Sequence, residues 1–178
     1  SKKLSSLIKL DEAEVTSSQS SVTLTGFTDT YSTYVIYLEH IVPDTDAVNI
    51  QIQLTASGVA QSTSNYDRAY LAIYANGTAA SVSQNTNTSQ SILNAGDNVG
   101  SATDEGFSGV VHIFSARSSA EYTSGTIESA FGSDANGVMG SLGGFLYTVA
   151  EVHDGVKFTF SSSANIESGK FSLYGIKS

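Results

Sequence analysis

The chain has no cysteine, no tryptophan and a single proline, and it is short of charge: Asp, Glu, Lys and Arg make up 14% of residues, against roughly 25% in ordinary globular proteins. The absence of cysteine excludes disulfides, thiolate metal ligands and thiol nucleophiles together, and leaves the redox compartment open. Eight Lys and Arg face 17 Asp and Glu, giving a net charge of −9. A field of that sign repels phosphate backbones, so nucleic acid is not an expected partner. No apolar run approaches the roughly 18 residues that a membrane span needs, and no membrane insertion is expected. The opening stretch, "SKKLSSLIKLDEAEV", has two lysines but no continuous apolar core of a signal peptide, so export by that route is not expected. A particle component released by lysis would still act outside a cell.

Ser, Thr, Asn and Gly take the place of the missing charge, while 40% of residues are hydrophobic. A neutral polar surface of this kind suits β-proteins that work outside cells or in repetitive assemblies. At 178 residues the chain is long enough for one packed core, as one domain or a domain plus an arm.

Strand-like segments recur along its length. "SVTLTG" (21–26) alternates, and "STYVIYLEHI" (32–41) is apolar on both sides like a central strand. "VNIQIQLTA" (48–56) alternates strictly, with Val48, Ile50, Ile52 and Leu54 expected inward. "DRAYLAIYANG" (67–77) ends in an Asn-Gly turn signal. "FSGVVHIFSA" (107–116), "EYTSGTIESAFG" (121–132) and "GGFLYTVAEV" (143–152) follow. "VKFTFSSSANIESGKFSLYGI" (156–176) closes the series as a hairpin with Val156, Phe158, Phe160, Phe171 and Leu173 inward. The polar stretch 78–106 shows strand potential only at 91–94 and predicts a functional loop, or one ordered by a neighbour. Helical signals are poor: a turn or two over 7–15 and one more over 118–122. These observations predict an all-β fold, a jelly-roll-like or Greek-key β-sandwich of about eight to nine strands. It would span residues 15–178, preceded by an N-terminal arm over 1–14. Leu4, Leu7, Ile8 and Leu10 would make that arm a docking segment for a partner.

Residues suited to catalysis are sparse. Of the three histidines, His112 lies inside an apolar strand, His40 ends a strand and His153 sits at a turn, and no GxSxG elbow accompanies the many serines. The acids Asp104, Glu105, Glu121, Glu128 and Glu151 fall at expected strand ends and turns, where water solvates carboxylates, which disfavours a glycosidase pair. "PDTDA" (43–47) and "SDANG" (133–137) alternate oxygens as calcium loops do, but neither reproduces the twelve-residue loop, and Asx turns use the same residues. No catalytic residue, metal ligand or cofactor is therefore assigned. The nine tyrosines are the unusual feature. Tyr31, Tyr34, Tyr66, Tyr70, Tyr74 and Tyr122, with Tyr37, are either interface anchors or core-rim residues with their hydroxyls in solvent.

Three stretches together carry a family resemblance. "VTLTGFTDTYSTYVIYLEHIVPDTDAVNIQIQLTASG" (22–58), "SNYDRAYLAIYANG" (64–77) and "DGVKFTFSSSANIESGKFSLYGIK" (154–177) resemble small virion structural proteins of marine tailed bacteriophages, including cyanophages. The resemblance implies a non-enzymatic building block at the virion surface, as a head decoration or knob or in the tail-fibre apparatus. It would contact other virion proteins and form a homo-oligomer such as a trimer. The alternative is a carbohydrate-binding, receptor-recognition module of the same particle, with a host surface glycan as ligand. The middle third of the chain departs from the family pattern.

Overall fold

A computed structural model describes residues 6–75, 77–88 and 90–177, and the side chains of 82–89 lie outside that description. Alternation translates directly into burial where it is strict: Val48, Ile50, Ile52 and Leu54 are all at most 2% exposed, while the intervening glutamines face outward. Two antiparallel sheets pack face to face. One has the order β1 (Ser6–Val15), β13 (Ile166–Lys177), β3 (Thr33–Pro43), β9 (Gly106–Phe114), β10 (Thr123–Ser133), β11 (Gly137–Tyr147), β6 (Tyr66–Tyr74) and β7 (Ala79–Thr88). The other runs β2 (Val22–Thr25), β12 (Gly155–Phe160), β4 (Ile50–Ala56) and β5 (Val59–Ala60), with β8 (Ser91–Ile92) also on β4. The chain is an all-β sandwich.

Its connectivity is nested. β1 pairs with β13 and β2 with β12, and the framework sheets read β1-β13-β3-β9 and β2-β12-β4-β8. That order is a jelly roll. Two hairpins, β6–β7 and β10–β11, are inserted into it and add side by side beyond β9, doubling the width of one sheet.

The closing strands are not a hairpin. β12 belongs to the five-stranded sheet and β13 to the eight-stranded one, so the chain turns a corner between them. A 3-10 turn, Ser161–Ser163, makes the corner, with Ser162 and Ser163 in the left-handed region at φ 58 and 60°. Ser161 anchors it by donating its N–H to Asn49 O and accepting Asn49 N–H at its hydroxyl. Both strands still face the core as their alternation requires, because Phe158 and Phe171 meet across the gap between sheets with ring centroids 5.2 Å apart.

The described part of the expected arm is a strand. Ser6–Val15 pairs along β13, with a bulge between Lys9 and Asp11. That bulge interrupts the two-residue period, which is why 7–15 resembles a helical turn in sequence. The 78–106 stretch also differs from a loop: its first part is β7, an edge strand held by backbone pairing to β6. Its second part covers the inner face of the widened sheet, with Leu93, Ala95 and Val99 at most 2% exposed. Backbone ladders need no apolar side chains, so a polar edge strand gives little sequence signal. β11 likewise starts at Gly137, upstream of the expected boundary, because its glycines lie within the strand and admit close neighbours. A Cβ on Gly144 would sit 2.7 Å from Gly125 O. Residues 148–154 are the irregular crossover to β12.

Candidate functional site

Burial divides the tyrosines. Tyr34, Tyr66 and Tyr70 are core residues, 0, 0 and 5% exposed, so they are neither interface anchors nor rim residues. Their hydroxyls are satisfied internally: Tyr34 donates to Thr28 O, Tyr66 donates to Gln61 O and accepts Leu54 N–H, and Tyr70 bonds Ser91 at 2.7 Å. Burial pushes the Tyr70 phenol up to about 12 and raises those of Tyr34 and Tyr66. Tyr74 is half-buried and donates to Gly96 O. Tyr31 and Tyr122 remain accessible, half-buried and exposed respectively. Sequence alone could not separate these groups, since an inward tyrosine with a backbone partner carries the same letter as an outward one.

Of the expected docking residues, Leu4 lies outside the described residues. Leu7 and Ile8 are exposed on the edge strand, while Leu10 turns back against the core beside Gly26. β1 itself is strongly charged, with Lys9 and Lys170 both paired to Glu12. Charges and a bulge on an edge strand oppose pairing with another chain.

The larger apolar surface was not anticipated. On the outer face of the eight-stranded sheet, one rung reads Glu12, Ser172, Tyr37, Val110, Glu128, Leu142, Leu71 and Ser81. Leu71 and Leu142 are direct cross-strand partners, with Ile73 and Val138 beside them, and these four are 40–66% exposed. β11 carries no charged residue, and Gly140, Gly144, Ala69 and Ala79 keep the surrounding face low. Glu128 borders the patch from the middle of β10 rather than from a strand end. The sequence signal was present in "LAIY" and "GVMGSLGGFLY", whose apolar residues fall on both parities of the strand.

The histidines and acids take structural positions. His153 is fully buried, its Nδ1 2.9 Å from Thr123 Oγ1 and its Nε2 3.4 Å from Glu151 Oε1. The hydroxyl and imidazole of this row are closed to solvent, because Thr123 is also fully buried, and only the carboxylate of Glu151 is partly exposed. His153 and Asp154 instead knot together one end of the sandwich. His153 N–H bonds Ala116 O, and Arg117 donates to His153 O. Asp154 accepts from Thr55 Oγ1 and Gly58 N–H, and its carbonyl accepts Gly26 and Phe27 N–H. His112 stacks with Phe114 on the outer face, and His40 contacts Thr103 O.

The two calcium-like stretches come together at one end of the molecule with Asp97. Asp134 is raised by burial and then by the nearby charges of Asp97 and Asp46. Their oxygens serve turns: Asp46 accepts Ser101 N–H, Asp44 accepts from Asn165, and Asp97 accepts from Ser133 and Asn136. Among the described residues, no group of three or more His, Asp or Glu is arranged to hold a metal ion.

At the end knotted by His153, the loops 26–32 and 115–122 enclose an open polar groove of about 540 Å³ lined by Asp29, Tyr31, Ser32, Arg117, Ser118 and Glu121, among others. Compared with known proteins, the chain matches no family model, and neither a curated protein nor a solved structure matches it significantly.

Proposed function

We propose that this protein is a non-enzymatic structural component of a tailed-phage virion, and that it assembles with copies of itself across the outer face of β6 and β11. The observation that carries the assembly reading is the exposed quartet Leu71, Ile73, Val138 and Leu142, on a face whose charges, Asp67 and Glu128, stand at the margins. Contiguous exposed apolar residues on a rigid sheet mark interaction surfaces. Charge selects the occupant. With a net charge of −9, copies of this chain repel one another over most of their surface, and a nearly uncharged face is where two of them can approach. The jelly-roll framework, the composition rich in Ser, Thr, Asn and Gly, and the resemblance of 22–58, 64–77 and 154–177 to marine phage virion proteins support the particle setting.

Light scattering coupled to size exclusion tests the assembly. The wild-type chain is expected to run as a stable oligomer at micromolar concentration, and Leu142→Lys as a monomer with an unchanged far-ultraviolet spectrum. Leu142 is exposed, so the substitution leaves the core intact. A monomeric wild type would end the proposal. Antibody labelling of intact phage particles tests the location, with label expected on the head or tail surface.

A further inference from the structure

The loop-end groove lies away from the assembly face and has its own chemistry. Its shape is fixed by internal bonds. Arg117 donates Nε to Asp29 Oδ1 at 2.8 Å and Nη1 to His153 O at 3.0 Å. Ser115 donates its hydroxyl to Glu121 Oε2, and Ser118 Oγ accepts Ala120 and Glu121 N–H, closing the turn that presents Glu121. Tyr31 is set against Gly175, where any Cβ would lie 2.5 Å from its ring, and meets Tyr34 edge-on at 6.3 Å. Among the described residues, Nη2 of Arg117 and Oε1 of Glu121 make no bond, and the groove's volume falls within the roughly 300–1,000 Å³ of small-molecule sites.

The lining defines the ligand by exclusion. Two carboxylates in a chain of net charge −9 disfavour anions such as phosphates or uronic acids. The guanidinium of Arg117 offsets one of those carboxylates on the same wall, which weakens the pull on a cation. Apart from the tyrosine the lining residues are all polar, with hydroxyls from Thr30, Ser32, Ser115 and Ser118, which disfavours a lipid or a purely apolar ligand. An uncharged polyol satisfies what remains. Its hydroxyls can pair with a planar carboxylate and a planar guanidinium as both acceptor and donor, and its C–H face can rest on the phenol ring. We infer that this groove is a binding site for a neutral saccharide, held by Tyr31, Arg117 and Glu121.

The test is an amide chemical-shift titration of the full chain with the methyl glycosides of glucose, galactose and mannose, and with glucuronate as the anionic probe. At least one neutral glycoside is expected to give saturable shifts confined to residues 29–32 and 115–121, with millimolar affinity, while glucuronate gives none. Glu121→Gln and Arg117→Lys are each expected to weaken binding at least tenfold. Arg117 also ties two loops, so Glu121→Gln, on an exposed side chain, decides the matter if Arg117→Lys lowers the melting temperature. Leu142→Lys should bind as the wild type does, which separates this site from self-association. Absence of saturable shifts in these loops with all three glycosides would overturn the inference. So would equal binding of glucuronate, or binding unaffected by Glu121→Gln.

Discussion

Phe158→Ala is expected to destabilise the fold by about 3–5 kcal/mol, the range for emptying a buried aromatic site. Phe158 and Phe171 are both fully buried, and their rings, 5.2 Å apart and tilted by 41°, join β12 of one sheet to β13 of the other. Phe158 is fixed between Val22 on β2 and Ile52 on β4, and Phe171 between Ala13 on β1 and Leu38 on β3. Neighbours held in register on both sides cannot collapse into the space left by a lost ring. The loss is a large share of the roughly 5–15 kcal/mol that stabilises a typical domain. Urea denaturation should show a lower midpoint with an unchanged m value. Phe171→Ala should behave alike, and the double variant should lose less than the sum, as contacting residues do. A cost for Phe158→Ala under about 1 kcal/mol would mean that the sheets do not meet through this pair.

The second large effect concerns acid. Burial lowers the His153 pKa from 6.5, and this outweighs the opposing attraction of Glu151 and then of Asp154. A histidine whose folded pKa is depressed stays neutral in the native state while the unfolded chain takes up a proton. Its stabilising contribution is therefore complete above pH 6.5 and is lost as pH falls from there toward the folded pKa, by up to about 1.4 kcal/mol per pH unit. The consequence is local as well as global, because His153 and Asp154 hold loops 26–32 and 115–122 against the crossover. Unfolding free energies measured from pH 8 to pH 5 should fall below pH 6.5 in the wild type. His153→Gln should be less stable at pH 8 but should lack that slope. A wild-type profile flat from pH 8 to pH 5 would refute the claim.

Several features were legible in the chain. Strict alternation at Val48–Leu54 and at Val156–Phe160 determined which side chains enter the core, because a period of two is imposed by the backbone of each strand alone. The abundance of such segments, set between turn residues and with little helical periodicity, determined the all-β class. The tertiary structure decided what depends on partners distant in sequence. It placed the last two strands in opposite sheets, since a five-residue connection can close a hairpin or turn a corner, and the Ser161–Asn49 bonds select the corner. It made 6–15 an edge strand and 79–88 another, through backbone pairing that side-chain patterns scarcely record. It also separated the core tyrosines 34, 66 and 70 from the accessible Tyr31 and Tyr122, because burial of a ring depends on what packs over it. The apolar face of β6 and β11 and the groove beside Arg117 exist only once strands and loops far apart in the chain are brought side by side.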